Sequence, residues 1–164
     1  MSLGVHFAVT AAQLKVLRAA RGDDEAVLKL VAEVEEDWDG RWLAESDKAW
    51  DAMHRTLSDG ELTFAGGLEH APLGCTVLGG ESMVEDENET VVLIEPRAVT
   101  KTATALEKLT QPEFRKRYFK LCKGYASEFG EEDFGYTWSN LQTVRALFVK
   151  AAKAKRAIVF TVSS

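Results

Sequence analysis

The hydrophobic positions of this chain form three short extended runs, and the segments between them have helical spacing. Apolar and other side chains alternate over residues 5–9, which predicts a half-buried strand. The continuous apolar run at residues 91–94 predicts a central strand, and the mainly apolar segment at residues 157–162 predicts a closing strand. Strands separated by helices predict an α+β fold, in which a small mixed sheet of about three strands is covered by helices.

Helix boundaries are marked by residues that can satisfy the free backbone groups of a first turn. Thr10 and Ser139 are each followed three residues later by a glutamine, which predicts a capping box at both positions. Residues 58–90 and 124–138 are rich in glycine and polar side chains, so we predict a long, partly structured loop over the first stretch and a loop over the second. The predicted helices begin near Thr10, Asp23, Ser46, Pro96, Thr110 and Ser139.

The central helix, predicted over residues 47–57, has the densest combination of aromatic bulk and polar chemistry. Ser46 is predicted to cap it, because a serine hydroxyl accepts a hydrogen bond from a free N–H of the first turn. Trp50 lies on the apolar face of this helix and is predicted to be buried. Asp51 lies three residues before His54 at the border of that face, within reach of the imidazole.

The central helix and a later glycine segment together resemble the YfbM-like family of small bacterial proteins, a domain of unknown function. That family has an Asp-Lys-x-Trp-x-x-x-His helix, which is followed by a loop and a Leu-Gly segment. The matching positions in this chain are Asp47, Lys48, Trp50, His54, Leu78 and Gly79. The resemblance covers nearly the whole chain, so residues 1–164 are expected to be a single YfbM-like domain. It implies an α+β fold and brings no accepted activity.

The net charge of the chain is −6, and its pI is about 5.2. An acidic surface argues against nucleic-acid binding and against anionic membrane surfaces, since both require cationic side chains. No apolar run approaches the roughly 20 residues of a membrane helix. The N-terminus has no basic region followed by a long apolar region, so no signal peptide is predicted and the protein is expected to be cytoplasmic.

The candidate metal ligands of the chain do not have the spacing of a known metal site. Cys75 and Cys122 have neither a metal-binding spacing nor a disulfide framework, so reduced thiols are predicted. Residues 35–40 resemble the start of a calcium loop, but its twelfth position would be Ser46 instead of an acidic ligand. The three histidines are far apart in sequence. The sequence therefore predicts no metal site and no cofactor.

The polar edge of the central helix and the glycine segment after it form the predicted functional surface. Asp51 would hold the tautomer of His54 and raise its basicity, as in an acid–base pair. Gly79 and Gly80 would let a ligand or a partner approach the backbone closely. The predicted binding residues are Asp47, Trp50, Asp51, His54, Gly79 and Gly80.

The predicted function is that of a cytoplasmic binding or protein-interaction module without catalytic activity, whose partner is a protein or a small molecule. The alternative is a small-molecule enzyme that uses Asp51 and His54 on the central helix. A deep pocket that holds both groups would favour the enzyme, whereas a flat apolar patch would favour the interaction module.

Overall fold

An antiparallel sheet lies at the centre of the structure, a computed structural model that describes residues 2–63 and 68–163. The strands of the described residues are β1 (Leu3–Val9), β2 (Leu43–Asp47), β3 (Glu81–Ser82), β4 (Thr90–Ile94) and β5 (Ala157–Ser163). Their order in the sheet is β2-β1-β5-β4-β3, and every neighbouring pair is antiparallel. The α+β class is confirmed, but the predicted mixed sheet of about three strands is wrong in strand number and in strand direction.

The sequence pattern does not predict β2, because this edge strand is five residues long and contains exposed acidic side chains. Ser46 belongs to β2, so the predicted helix cap at Ser46 is wrong. Its buried hydroxyl donates a hydrogen bond to the carbonyl oxygen of Gly4 on β1 at 3.2 Å. The backbone then turns at Asp47, where φ is 49°, and the central helix begins at Trp50.

The described residues contain α1 (Ala11–Ala19), α2 (Asp24–Asp37), α3 (Trp50–Leu57), α4 (Pro96–Lys108), α5 (Gln111–Leu121) and α6 (Glu131–Lys153). The predicted capping box at Thr10 is confirmed, since its hydroxyl accepts a hydrogen bond from the N–H of Gln13 at 3.1 Å. Pro96 occupies the first turn of α4, where its missing N–H costs no helical bond. In the part of the chain that the structure describes, no helix is long and apolar enough to cross a membrane.

α6 begins at Glu131, well before the predicted start at Ser139, so the loop predicted over residues 124–138 is wrong in its second half. Phe134 is buried on the inner side of this helix. Gly135 lies on its exposed side, where a glycine is tolerated at a modest cost. The glycine and the charged residues of this stretch therefore suggest a loop, although its few apolar residues lie on the buried side of a helix.

Helices cover both faces of the sheet. The helices α3, α4, α5 and α6 pack on one face, which presents Val92 and Ile94 of β4, whereas α1 and α2 pack on the other face, which presents Val91 and Leu93. β1 is consequently buried on both sides, and the predicted half-buried strand at residues 5–9 is wrong. A polar side chain on an inner strand of this three-layer arrangement must find its hydrogen-bond partners inside the protein.

We predict that Trp50→Ala lowers the free energy of unfolding by about 3–5 kcal/mol, because it empties a large site in the core. The predicted burial of Trp50 is confirmed, since the residue is 8 % exposed and its indole N–H donates to the carbonyl oxygen of Ser2 at 3.1 Å. Urea unfolding at neutral pH is the measurement. Val16→Ala, at an exposed position of α1, is the control and is expected to change stability by less than about 0.5 kcal/mol. An unchanged urea midpoint for Trp50→Ala would contradict the prediction.

Candidate functional site

Two buried histidines from different elements hold the chain segment that leads into β3. His6 of β1 is fully buried, and its Nε2 lies 2.7 Å from the carbonyl oxygen of Thr76. His54 of α3 is 5 % exposed, and its Nδ1 accepts a hydrogen bond from the backbone N–H of Leu78 at 3.4 Å. These four residues form what we call the histidine clasp. The clasp joins the central helix to the Leu-Gly segment, the two parts of the sequence motif.

Both rings of the histidine clasp are neutral near neutral pH. Burial lowers the pKa of His6 to about 4, and the hydrogen bond with the Thr76 carbonyl offsets only part of this effect. Burial also lowers the pKa of His54 to about 4, although the charges of Asp59 and Asp51 oppose it. Because His6 faces a carbonyl through Nε2 and His54 accepts through Nδ1, each neutral ring carries its proton on Nε2.

The clasp fixes the position of the two glycines that the sequence singled out. Leu78, directly before them, is fully buried, and the N–H of Gly79 donates to the carbonyl oxygen of Gly74 at 3.0 Å. A Cβ atom on Gly79 would overlap that same oxygen, and a Cβ atom on Gly80 would overlap the carbonyl oxygen of Leu93 in β4. Glycine is therefore required at both positions by close packing of one backbone segment on another.

A cleft of about 610 Å³ lies beside this glycine segment, at the edge of the sheet. Gly79 and Gly80 line one part of it, and Arg97, Ala98 and Lys101 of α4 line another. The end of β4 also contributes to the lining. Small-molecule sites typically have volumes of roughly 300–1,000 Å³, so the cleft has the size of a ligand site.

Arg18 of α1 and Arg21, which lies just after that helix, neutralise the two carboxylates at this cleft. Arg21 donates to both oxygens of Glu81, from Nε at 2.7 Å and from Nη2 at 2.8 Å. Arg18 donates to both oxygens of Glu95, and Arg21 adds a further hydrogen bond to Glu95 at 3.2 Å. The hydrogen bonds from Arg18 hold the pKa of the Glu95 carboxyl below its usual range. All four carboxylate oxygens thus accept hydrogen bonds from guanidinium groups.

The predicted binding residues do not share one environment. Gly79 and Gly80 line the cleft. His54 contacts the glycine segment through the clasp and does not itself line the cleft. Trp50 lies in the core, and Asp47 is exposed at the end of β2. The six residues therefore do not converge on one cavity.

Asp51 pairs with Arg55, one turn later on α3. The Nε of Arg55 donates to the Asp51 carboxylate at 2.6 Å, and its Nη1 donates to the carbonyl oxygen of Gly60 at 3.2 Å. Among the described residues no hydrogen bond joins Asp51 to His54, whose Nδ1 is occupied by the N–H of Leu78. In this geometry the two groups are not coupled as an acid–base pair.

The ion pairs at the cleft have no signal in the sequence pattern. Arg21 and Glu81 are 60 positions apart in the chain, and nothing in their local sequence indicates that they meet. Arg97 and Lys101 do carry a usable signal, because a spacing of four places them on the same side of a helix. His6 carries one as well, since it is a polar residue within a run of apolar strand positions.

Both cysteines are buried and free, in agreement with the predicted reduced thiols. Burial raises the pKa of Cys75, which lines the cleft, and of Cys122, so the protonated thiol is favoured in both. Residues 35–40, the rejected calcium loop, contain the end of α2 and the turn that follows it. Within residues 2–63 and 68–163, no group of three His, Cys, Asp or Glu side chains is arranged to hold a metal ion.

Comparison with known proteins gives a family and a fold. The model of the family described as a domain of unknown function, DUF1877, matches residues 1–161. No curated protein matches the chain. Among solved structures, the chain is similar to YfbM from Escherichia coli, a protein of unknown function, with a TM-score of 0.70 and 14 % identity over 98 % of this chain and 99 % of that chain. The similarity at this identity shows the fold alone, and the YfbM-like resemblance is confirmed.

We predict that the protein loses stability as the pH falls from 6.5 to 4, because the clasp histidines are harder to protonate in the folded state. An unfolded histidine takes up its proton near pH 6.5, whereas the folded ones do so only near pH 4, so acid favours unfolding across this window. Each of the two histidines contributes about 3 kcal/mol to the loss.

Urea unfolding across that pH window measures the effect, and the chain offers a matched pair of variants. His54→Gln removes one clasp ring and is expected to reduce the pH-dependent loss by about 3 kcal/mol, whatever its stability at neutral pH. His70→Gln replaces an exposed imidazole and is expected to retain the wild-type loss. Equal pH dependence of His54→Gln and the wild type would mean that the clasp does not hold His54 neutral.

Proposed function

This chain belongs to the DUF1877 family of proteins of unknown function, and from that premise we propose that it is a binding module without catalytic activity. Its ligand is a small molecule that occupies the cleft beside Gly79 and Gly80. The observation that carries the proposal is the construction of this cleft, since the segment on one side is anchored by hydrogen bonds of two buried histidines. A site that is already rigid before binding loses little entropy when the ligand enters.

The groups around the cleft favour binding over catalysis. Glu81 and Glu95 would be the natural acid–base candidates, but arginine donors occupy all of their oxygens. The thiol of Cys75 is kept protonated by burial, which raises its pKa and weakens it as a nucleophile. Asp51 and His54, the residues of the enzyme alternative, are engaged with other partners and lie outside the cleft lining.

The surface favours a small molecule over a protein as the partner. The large hydrophobic side chains that are exposed among the described residues are Leu3, Val16, Trp38 and Tyr136. They belong to β1, α1, the end of α2 and α6, so they do not derive from one element. Protein-binding surfaces usually present a contiguous apolar patch, and singly exposed apolar residues are ordinary. The free buried thiols fit a reducing compartment, which supports a cytoplasmic location.

We predict that Ala98→Phe strongly weakens ligand binding, because a phenyl ring at this lining position would take up space in the cleft between α4 and the glycine segment. The measurement is a set of amide NMR spectra in which small anionic, neutral and cationic compounds are screened against the protein. Compounds that enter the cleft are expected to shift the amide signals of Gly79 and Gly80 in the wild type. Ala146→Phe, at an exposed position of α6, is the matched control and is expected to bind as the wild type does.

Three results would contradict the proposal. One is that no compound shifts the amide signals of Gly79 and Gly80. Another is that the shifts persist in Ala98→Phe while the variant is folded, as judged from its spectrum. The third is chemical conversion of a bound compound, detected by mass spectrometry, which would contradict the absence of catalysis and favour the enzyme.

A further inference from the structure

We infer that the ligand of the cleft is a small amphipathic anion, whose carboxylate or phosphate group binds Arg97 and Lys101. This inference rests on the proposed function, because it names the chemical class of the ligand that the cleft would take. Both cations line the cleft and are exposed to solvent, so they are accessible to a ligand that enters it. The inference depends on three features of the cleft, which are its charge, the arrangement of its cations and its apolar lining.

The charge of the cleft is positive although the whole protein is negative. Glu81 and Glu95 are paired with Arg21 and Arg18, and each of their carboxylate oxygens accepts a hydrogen bond from a guanidinium group. Among the described residues neither Arg97 nor Lys101 has an ion-pair partner. Two positive charges therefore remain uncompensated at the cleft, in a chain whose net charge is −6. Charge of this sign at a concave site attracts an anion.

The arrangement of the two cations suits one anionic group. They are four residues apart in the first half of α4, so their side chains emerge on the same side of the helix. A guanidinium binds a carboxylate or a phosphate through two parallel N–H donors, and an ammonium group adds a compact charge beside it. The positive end of the α4 dipole also attracts an anion, as a minor contribution.

The remainder of the lining suits an apolar ligand body. Leu93 and Ile94 of β4 and Ala98 of α4 line the cleft together with the glycine segment. A free inorganic anion would leave most of the roughly 610 Å³ empty, so the shape favours an organic ligand with a short hydrocarbon or aromatic part. A carboxylate and a phosphate with such an apolar part would both fit this description, so the test must distinguish between them.

The test uses hexanoate, hexyl phosphate and hexanol as probes of equal chain length. Each is titrated against the full chain, and the amide signals of Gly79 and Gly80 are followed by NMR. Three proteins are compared, namely the wild type, the Arg97→Gln/Lys101→Gln variant and the Lys116→Gln/Lys120→Gln variant. The last is a matched control, because it removes two charges four residues apart from exposed positions of α5.

The expected result is that at least one anionic probe binds the wild type about tenfold or more tightly than hexanol, since a charge-assisted pair is worth at least that much. This preference should disappear in Arg97→Gln/Lys101→Gln and persist in Lys116→Gln/Lys120→Gln. The tighter of the two anionic probes then assigns the ligand as a carboxylate or as a phosphate.

Other results would overturn the inference in distinguishable ways. Equal binding of hexanol and the anions, with shifts at Gly79 and Gly80, would show that the ligand need not be an anion. The proposed function would still stand. If both double variants lose the preference for the anionic probes equally, the preference comes from the overall charge of the protein and not from a specific site. Absence of shifts with all three probes would overturn this ligand class, and the Ala98→Phe comparison would then decide the proposed function separately.

Discussion

The fold depends on the burial of two neutral imidazoles between the sheet and the central helix. The chain passes between them at Thr76 and Leu78, and the backbone of each of these residues forms a hydrogen bond with one ring nitrogen of a histidine. A buried polar group without a partner is costly, so the clasp and the segment that it holds stabilise each other. His6 precedes Thr76 by 70 positions and His54 precedes Leu78 by 24 positions in the chain, but in the structure the two rings contact this segment from two sides.

The cleft is a consequence of this constraint. With Leu78 anchored in the core, the next two residues must cross close to the Gly74 and Leu93 carbonyls, where side chains do not fit. The glycine backbone then faces α4 across an open space, and Arg18 of α1 and Arg21 just after that helix neutralise the carboxylates there. Residues from widely separated parts of the chain thus produce one positive concave site on an acidic protein.

Local sequence pattern determines only some parts of this structure. The Thr10 capping box and the burial of Trp50 follow from spacing and side-chain chemistry alone. β2 could not be predicted, because Ser46 satisfies its hydroxyl by pairing with a strand some 40 residues earlier. The cleft could not be predicted for the same reason. The hydrogen bond between Arg18 and Glu95 joins residues 77 positions apart, and such a contact produces no periodic pattern in the sequence.

The protonation of the clasp is the most direct test of this account. Long-range proton–nitrogen correlation spectra at neutral pH distinguish the two neutral tautomers of each imidazole and the charged ring. His6 and His54 are expected to be neutral, and each is expected to carry its proton on Nε2. A proton on Nδ1 of His54, or a charged ring at either position, would show that the segment beside the cleft is not held in this way.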